Sequence, residues 1–197
     1  MSWVQEIAMM IGGSDFTNPG SLAPDIAFNL EELFTYTVLT DDQIEGCALA
    51  AAVASGHHLL WNVIYNSPYP AIGRGYVNTV ERRAGVQAGA LASQNNVYFN
   101  YAEQFEPLKS IPDRMRGFVA ATNGGTTKDR FDSYMLAGHL VGPCNMCITA
   151  YTIILKEQGY GIEQLRDIGR IASVMKAVSN MYPAYIPPPP QEQYTGI

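Results

Sequence analysis

Cys144 and Cys147, separated by two residues, follow a proline at the start of a helix-like stretch. Unpartnered backbone N–H groups and the positive end of the helix dipole stabilise a thiolate at such a place. The thiolate is the nucleophile, and a second thiol one turn away can close a disulfide, so the pair reads as a dithiol redox centre. The alternative is two small residues packing in a core, because free cysteine is among the most buried residue types. Tyr151 lies four residues after Cys147, one turn along the same helix face. On the preceding helix, Asp132 and His139 are seven apart and share a face. A carboxylate, an imidazole and a phenol are thus candidates around two thiols, and together they suggest proton traffic. Each also has an ordinary use: Asp132 as a helix-start residue near Lys128, His139 as a core histidine, Tyr151 as a packing aromatic.

The third cysteine, Cys47, leaves an odd number without disulfide-framework spacing. No basic stretch leads a signal-like segment at the start of the chain, and no apolar run approaches a membrane span. A reducing cytoplasm is the expected home, where a Cys-x-x-Cys is catalytic or metal-binding. A structural zinc would need four ligands. Beyond the pair, only Cys47, His57, His58 and His139 remain, and adjacent histidines on a helix point about 100° apart. No metal and no cofactor is therefore expected, and Cys47 is expected to pack as a small hydrophobe.

Hydrophobic residues make up 47% of the 197 and charged residues only 15%, a balance that suggests further burial between subunits. The net charge of −6 argues against nucleic acid and anionic membrane as partners. No Lys or Arg precedes Arg74 while eight acids do, so residues 1–73 carry −8 and the remainder +2. An acidic solvated face explains this, as does complementary contact between the two parts or between subunits.

The elements that must hold these residues read as nearly all helix. Residues 1–23, rich in Gly, Ser and Asn, are expected to be an N-terminal arm or loop with one short helical piece. Pro24 and Asp25 open an amphipathic helix carrying Ile26, Leu30, Leu33 and Phe34. Asp41 and Asp42 are expected to cap an Ala-rich helix over 44–55, and residues 57–66 form a shorter one. A long helix spans about 79–102, and Asp113–Ala121 is expected to be helical. The next helix covers about 127–141, the dithiol helix runs to Gln158 before Gly159, and the last covers about 162–181. Pro187–Pro190 marks a Pro-rich tail over 183–197. A weak internal repeat relates Asp42–Ile64 to Asp132–Ile154, and His57 falls where Cys144 falls.

The stretch from Phe131-Asp132 through Gly142-Pro143-Cys144-Asn145-Met146-Cys147 to Tyr151, with the Gly turn and helix after it, resembles the alkylhydroperoxidase D-like proteins of the carboxymuconolactone decarboxylase superfamily. Their motif is Glu, eleven residues, Cys-x-x-Cys, three residues, His; this chain keeps the spacing as Asp132, Cys144, Cys147 and Tyr151. The resemblance covers residues 24–182, including the Ala-rich helix and Asn95-Asn96-Val97-Tyr98 on the long helix. It implies an all-α single domain of duplicated helical halves that assembles as a homo-oligomer, trimer or hexamer. It also implies a thiol-dependent peroxidase, or a disulfide reductase serving a peroxiredoxin, recharged by a lipoyl-bearing or other dithiol donor. Carried over by position, Cys147 takes the attacking, sulfenic acid role. Cys144 resolves it or forms the mixed disulfide with a partner, and Asp132 and Tyr151 stand at the relay positions.

Two residues depart from the motif. Asp132 is one methylene shorter than Glu. Tyr151, whose ordinary pKa is about 10, is a donor near neutral pH where histidine would accept. His139, two turns from Asp132 and five residues before Cys144, is the candidate to take over as relay base, with Asp132 holding its tautomer. The competing account needs no base, because the helix N-terminus alone lowers the thiol pKa. Two other functions fit the sequence less closely. A cofactor-free decarboxylase would need acid–base residues around a small anionic substrate, whose carboxylate Arg114, Arg116 or Arg130 could hold, and has no use for the dithiol. A non-catalytic, redox-responsive oligomer would change assembly or partner binding on oxidation.

Overall fold

The computed structural model describes residues 2–12, 22–71 and 76–181, and every regular element among them is helical. Among these residues nine α-helices run in order: α1 (Trp3–Gly12), α2 (Ala23–Thr35), α3 (Asp41–Ala54), α4 (His58–Asn66), α5 (Thr79–Glu103), α6 (Phe118–Ala121), α7 (Lys128–Leu140), α8 (Asn145–Glu157) and α9 (Ile162–Met181). Single 3-10 turns at Glu106–Ser110 and Asn123–Gly125 join α5 to α7. The Pro-rich tail expected over 183–197 lies outside the described residues. No helix among them is long and apolar enough to cross a membrane.

Helix α3 is the axle of the fold, packed against α4, α5, α7 and α9. Every residue from Gln43 to Ala52 is buried. Its small side chains permit backbone-to-backbone crossings. A Cβ on Gly85 of α5 would sit 2.6 Å from the Gly46 carbonyl oxygen, and one on Gly89 2.5 Å from that of Ala50. On the α7 side, the Tyr134 ring fills the space where a Gly46 side chain would be. Glycine at these positions therefore fixes how closely α5 and α7 approach the axle. Helix α1 packs on α2, with Trp3 and Ile7 fully buried, so the helical piece within residues 1–23 belongs to the core.

Charged groups complement one another across the chain. Glu45 on α3 and Arg82 on α5 pair at 2.9 Å, both buried. Trp3 Nε1 and the Ala71 N–H also donate to Glu45, while Arg82 donates to the carbonyls of Tyr65, Ser67 and Tyr69. Arg130 on α7 reaches Asp42 and Glu81, each at 2.7 Å. Acids of the first seventy residues thus meet bases of the remainder, as complementary contact requires.

Two local readings are corrected. Thr40, rather than Asp41 or Asp42, caps α3: its hydroxyl accepts from the Gln43 N–H while Gln43 reaches back to the Thr40 N–H. A hydroxyl one residue earlier closes this reciprocal box, which the two acids cannot. The helix expected over Asp113–Ala121 shrinks to Phe118–Ala121. Arg114 takes φ 53°, and all but Met115 of residues 111–117 are exposed, so the segment has no apolar stripe to bury.

The internal repeat has a structural counterpart at the helix starts. His57 caps α4, its Nδ1 accepting from the Leu60 N–H at 3.2 Å. Cys144 caps α8, its Sγ accepting from the Cys147 N–H, also at 3.2 Å.

Candidate functional site

The site lies where α8 meets α7 and α5. Helix α7 ends at Leu140, and the turn through Gly142 brings the chain to α8 within four residues. Only glycine fits at 142, because a Cβ there would run into the Asn96 side-chain amide. Asn96, on α5, is therefore wedged against the turn that leads into the cysteines. Cys144 and Cys147 are joined as a disulfide, S–S 2.01 Å, so this is the oxidised form of the pair. Cys144 is fully buried, and Cys147 keeps 7% of its surface exposed. Both cysteines are thus buried, Cys147 the less completely.

His139 is buried on the last turn of α7. Its Nδ1 lies 2.7 Å from Asn96 Oδ1, and the Asn96 amide donates to the Gly138 carbonyl at 3.3 Å. That pairing assigns the proton to Nδ1 and leaves Nε2 as a bare acceptor, which is buried without a partner. Burial pushes the imidazole pKa down to about 4, so His139 is neutral at physiological pH. Its ring lies over that of Tyr151, with centroids 5.1 Å apart. Burial first, and then the nearby Asp132 charge, push the Tyr151 phenol up to about 12. Tyr151 therefore keeps its proton through the physiological range and is a donor.

Asp132 is buried on α7 and accepts from Lys128 Nζ at 2.5 Å and Gln158 Nε2 at 2.6 Å. It does not hold His139. The expected Asp132–His139 pairing is replaced by Asn96, because seven helical residues span about 10 Å along the axis, well beyond hydrogen-bond reach. Gln158 Oε1 is the other side-chain atom buried without a partner among the described residues. Both orphaned acceptors thus belong to this one cluster, on His139 and on the residue that holds Asp132. Sequence reasoning missed Asn96 and Gln158 as members of the site. The only signal for either was the Asn95-Asn96 pair on an otherwise Ala-rich helix.

The remaining candidates are accounted for. Cys47 is buried beside Ser133, and desolvation lifts its thiol to about 12, which keeps it protonated and inert. Arg130 is engaged by Asp42 and Glu81, and Arg116 lies over the Phe118 ring at 5.6 Å. Among the described residues no three His, Cys, Asp or Glu side chains converge as metal ligands would.

The geometry therefore presents a buried, helix-capping disulfide on the same helix as a phenol that donates, with an imidazole that accepts stacked on that phenol. A protein named alkyl hydroperoxide reductase AhpD from Rhodospirillum centenum is 31% identical to this chain over 164 residues, 82% of this chain and 85% of its own length. One of the same name from Hyphomonas neptunium is 30% identical over 164 residues, 82% of this chain and 88% of its own. A third, from Coxiella burnetii, is 24% identical over 164 residues, 81% and 89% of the two chains. No family model matches the chain.

Proposed function

The chain belongs to the alkyl hydroperoxide reductase AhpD family, and from that premise we propose that it is an antioxidant peroxidase working through Cys144 and Cys147. The observation that carries the proposal is the Cys144–Cys147 disulfide at the first turn of α8, with Cys144 as the capping acceptor.

In the reduced protein the Cys147 thiolate attacks the terminal oxygen of a hydroperoxide, ROOH. The O–O bond breaks, a sulfenic acid forms on Cys147, and the departing RO⁻ takes a proton to leave as ROH. Cys144 then attacks the sulfenic sulfur, an S–S bond forms, and hydroxide leaves with a proton as water. Two electrons pass from the dithiol to the peroxide. An external dithiol, lipoyl-bearing or otherwise, restores the pair by exchange and is itself oxidised to a disulfide. The donor attacks Cys147, the less buried of the two residues, releasing Cys144 as a thiolate held by the Cys147 N–H.

The departures from the family motif redistribute the proton work. Thiolate formation rests on the helix N-terminus, since a buried imidazole near pKa 4 is a weak proton acceptor. His139 acts as a hydrogen-bond acceptor through Nε2 rather than as a base that carries the proton away. Tyr151, a donor beside Asp132, supplies the proton or hydrogen bond to the departing oxygen. Asp132 acts through Tyr151 and Gln158 and is a positioning residue.

The test is a stoichiometric peroxide challenge of the reduced protein, with mass spectrometry of both cysteines over time. Rapid formation of the Cys144–Cys147 disulfide is expected. Cys144→Ser should stop at a sulfenic acid on Cys147, and Cys147→Ser should not react. Thiols that stay reduced while a control peroxidase reacts would sink the proposal.

A further inference from the structure

The end of α7 leaves one carbonyl without its usual donor. In a continuing helix the Gly142 N–H would bond the Gly138 carbonyl; here it bonds that of His139, at 3.0 Å. The Gly138 carbonyl accepts instead from the side-chain amide of Asn96 on α5, at 3.3 Å. Close approach of the two helices makes this reach possible, since a Cβ on Gly138 would stand 2.7 Å from that of Ala92. A carbonyl can only accept, so the nitrogen of the Asn96 amide faces Gly138 and its oxygen is left to face His139. That oxygen can only accept in turn, so the proton of the neutral imidazole sits on Nδ1. One backbone carbonyl at a helix end thereby sets a tautomer. Asn96 is 4% exposed, and both of these bonds are buried.

We infer that Asn96 is a positioning residue of the redox site: through its bond to Nδ1 it holds the His139 ring against Tyr151, and so holds the phenol in place to donate. This rests on the peroxidase reading above, in which Tyr151 serves the departing oxygen. The chain of contacts is continuous. Asn96 Oδ1 meets Nδ1 at 2.7 Å, and the His139 and Tyr151 rings lie with centroids 5.1 Å apart and planes 31° apart. Tyr151 stands one turn beyond Cys147 on α8. The imidazole depends on this anchor, because its other nitrogen, Nε2, is buried without a partner. The same amide also fills the space that a Gly142 side chain would need, on the turn into Cys144. Bracing that turn is the rival use of Asn96, and the two uses make different predictions.

Two variants divide the two bonds of the amide. Asn96→Asp keeps the acceptor for the Nδ1–H and gives up the donor to Gly138, whereas Asn96→Leu gives up both. The tautomer is read first, without thiol chemistry, on the full chain in its oxidised form with isotope-labelled histidine. Long-range proton–nitrogen NMR at mildly alkaline pH reports which ring nitrogen is protonated, and the His139 signals are those lost in His139→Gln. Wild type and Asn96→Asp should carry the proton on Nδ1, and Asn96→Leu should lose that fixed pattern. The reduced protein is then mixed with cumene hydroperoxide by stopped-flow. The rate constant is taken on the alkaline plateau, where the Cys147 thiol is fully ionised and a change in its pKa does not enter. Asn96→Leu should be about tenfold slower than wild type, and Asn96→Asp within about threefold of it. In a Tyr151→Phe background Asn96→Leu should slow the reaction no further, because the hydroxyl it positions is gone.

An unchanged tautomer in Asn96→Leu overturns the assignment. So does an equal loss of rate in the Tyr151→Phe background, which would make Asn96 a brace of the fold. An Asn96→Asp as slow as Asn96→Leu also overturns it, by giving the work to the Gly138 bond. If Asn96→Leu does not fold, Asn96→Ala, which leaves room for a water at the Gly138 carbonyl, takes its place in both measurements. A wild type with the proton on Nδ1 that does not react with peroxide would overturn the peroxidase reading and leave His139 held by Asn96; reaction as expected with the proton on Nε2 would do the reverse.

Discussion

Acidification should destabilise this protein through His139. The imidazole is fully buried, its pKa falls from 6.5 to about 4, and the cause is desolvation. Between those values the unfolded chain binds a proton that the folded chain refuses, so stability falls as pH falls and is fully present above about 6.5. A difference of one in pKa is worth about 1.4 kcal/mol, which sets the whole effect near 3 kcal/mol and the part lost between pH 7 and 4.5 at about 2 kcal/mol. The comparison is with His139→Gln, which does not titrate and keeps an N–H for Asn96. Urea unfolding of both proteins, oxidised and at fixed concentration, across pH 7 to 4.5 reads the difference directly. Wild type should lose about 2 kcal/mol relative to the variant on acidification. Parallel stabilities, or a relative gain by wild type, would refute the claim that a neutral buried imidazole sits at this site.

Three further outcomes follow from the same description. Tyr151→Phe should slow sulfenic acid formation with an organic hydroperoxide about tenfold or more by stopped-flow, and the wild-type rate should show no loss between pH 8 and 10, because the phenol titrates near 12. Glu45→Gln should cost about 3–5 kcal/mol in chemical denaturation, since it strands the Arg82 guanidinium among carbonyls in the core. Gly46→Ala should destabilise by about 1–3 kcal/mol or more, with a lowered Tm, because the added methyl collides with the Tyr134 ring; a neutral result would mean that α7 stands further off than described.

Helices α5 and α9 are legible in the sequence because their length and apolar spacing leave no competing period, and both occupy the expected ranges within a residue or so. The all-helical class and the dithiol at the start of α8 are likewise readable from Pro143 and the Cys spacing. What the sequence conceals is which helix faces which. Residues Phe131–His139 of α7 are buried on every side, so sharing a face says nothing about which neighbour each one meets. Asp132 looks like the partner of His139 because the two are seven apart on one helix; the partner sits on α5, forty-three residues away. The loop before α6 misleads for the opposite reason. Asp113–Ala121 has helix-forming residues but nothing to bury them against, and propensity alone does not hold so short a segment in a helix.

The capping bond of α8 gives the dithiol a thermodynamic partner. The atom that gains or loses electrons is the same atom that terminates the helix, so oxidation state and end-fraying are linked functions. A thiolate at Cys144 accepts the Cys147 N–H more strongly than a disulfide sulfur does, so reduction should tighten the first turn. The converse follows by reciprocity. Any contact that frays the start of α8, whether from a partner or from a substitution at Asn145, disfavours the reduced form, and any contact that clamps it favours that form. The reduction potential of this protein is therefore adjustable from outside the sulfur pair, by whatever touches the end of one helix.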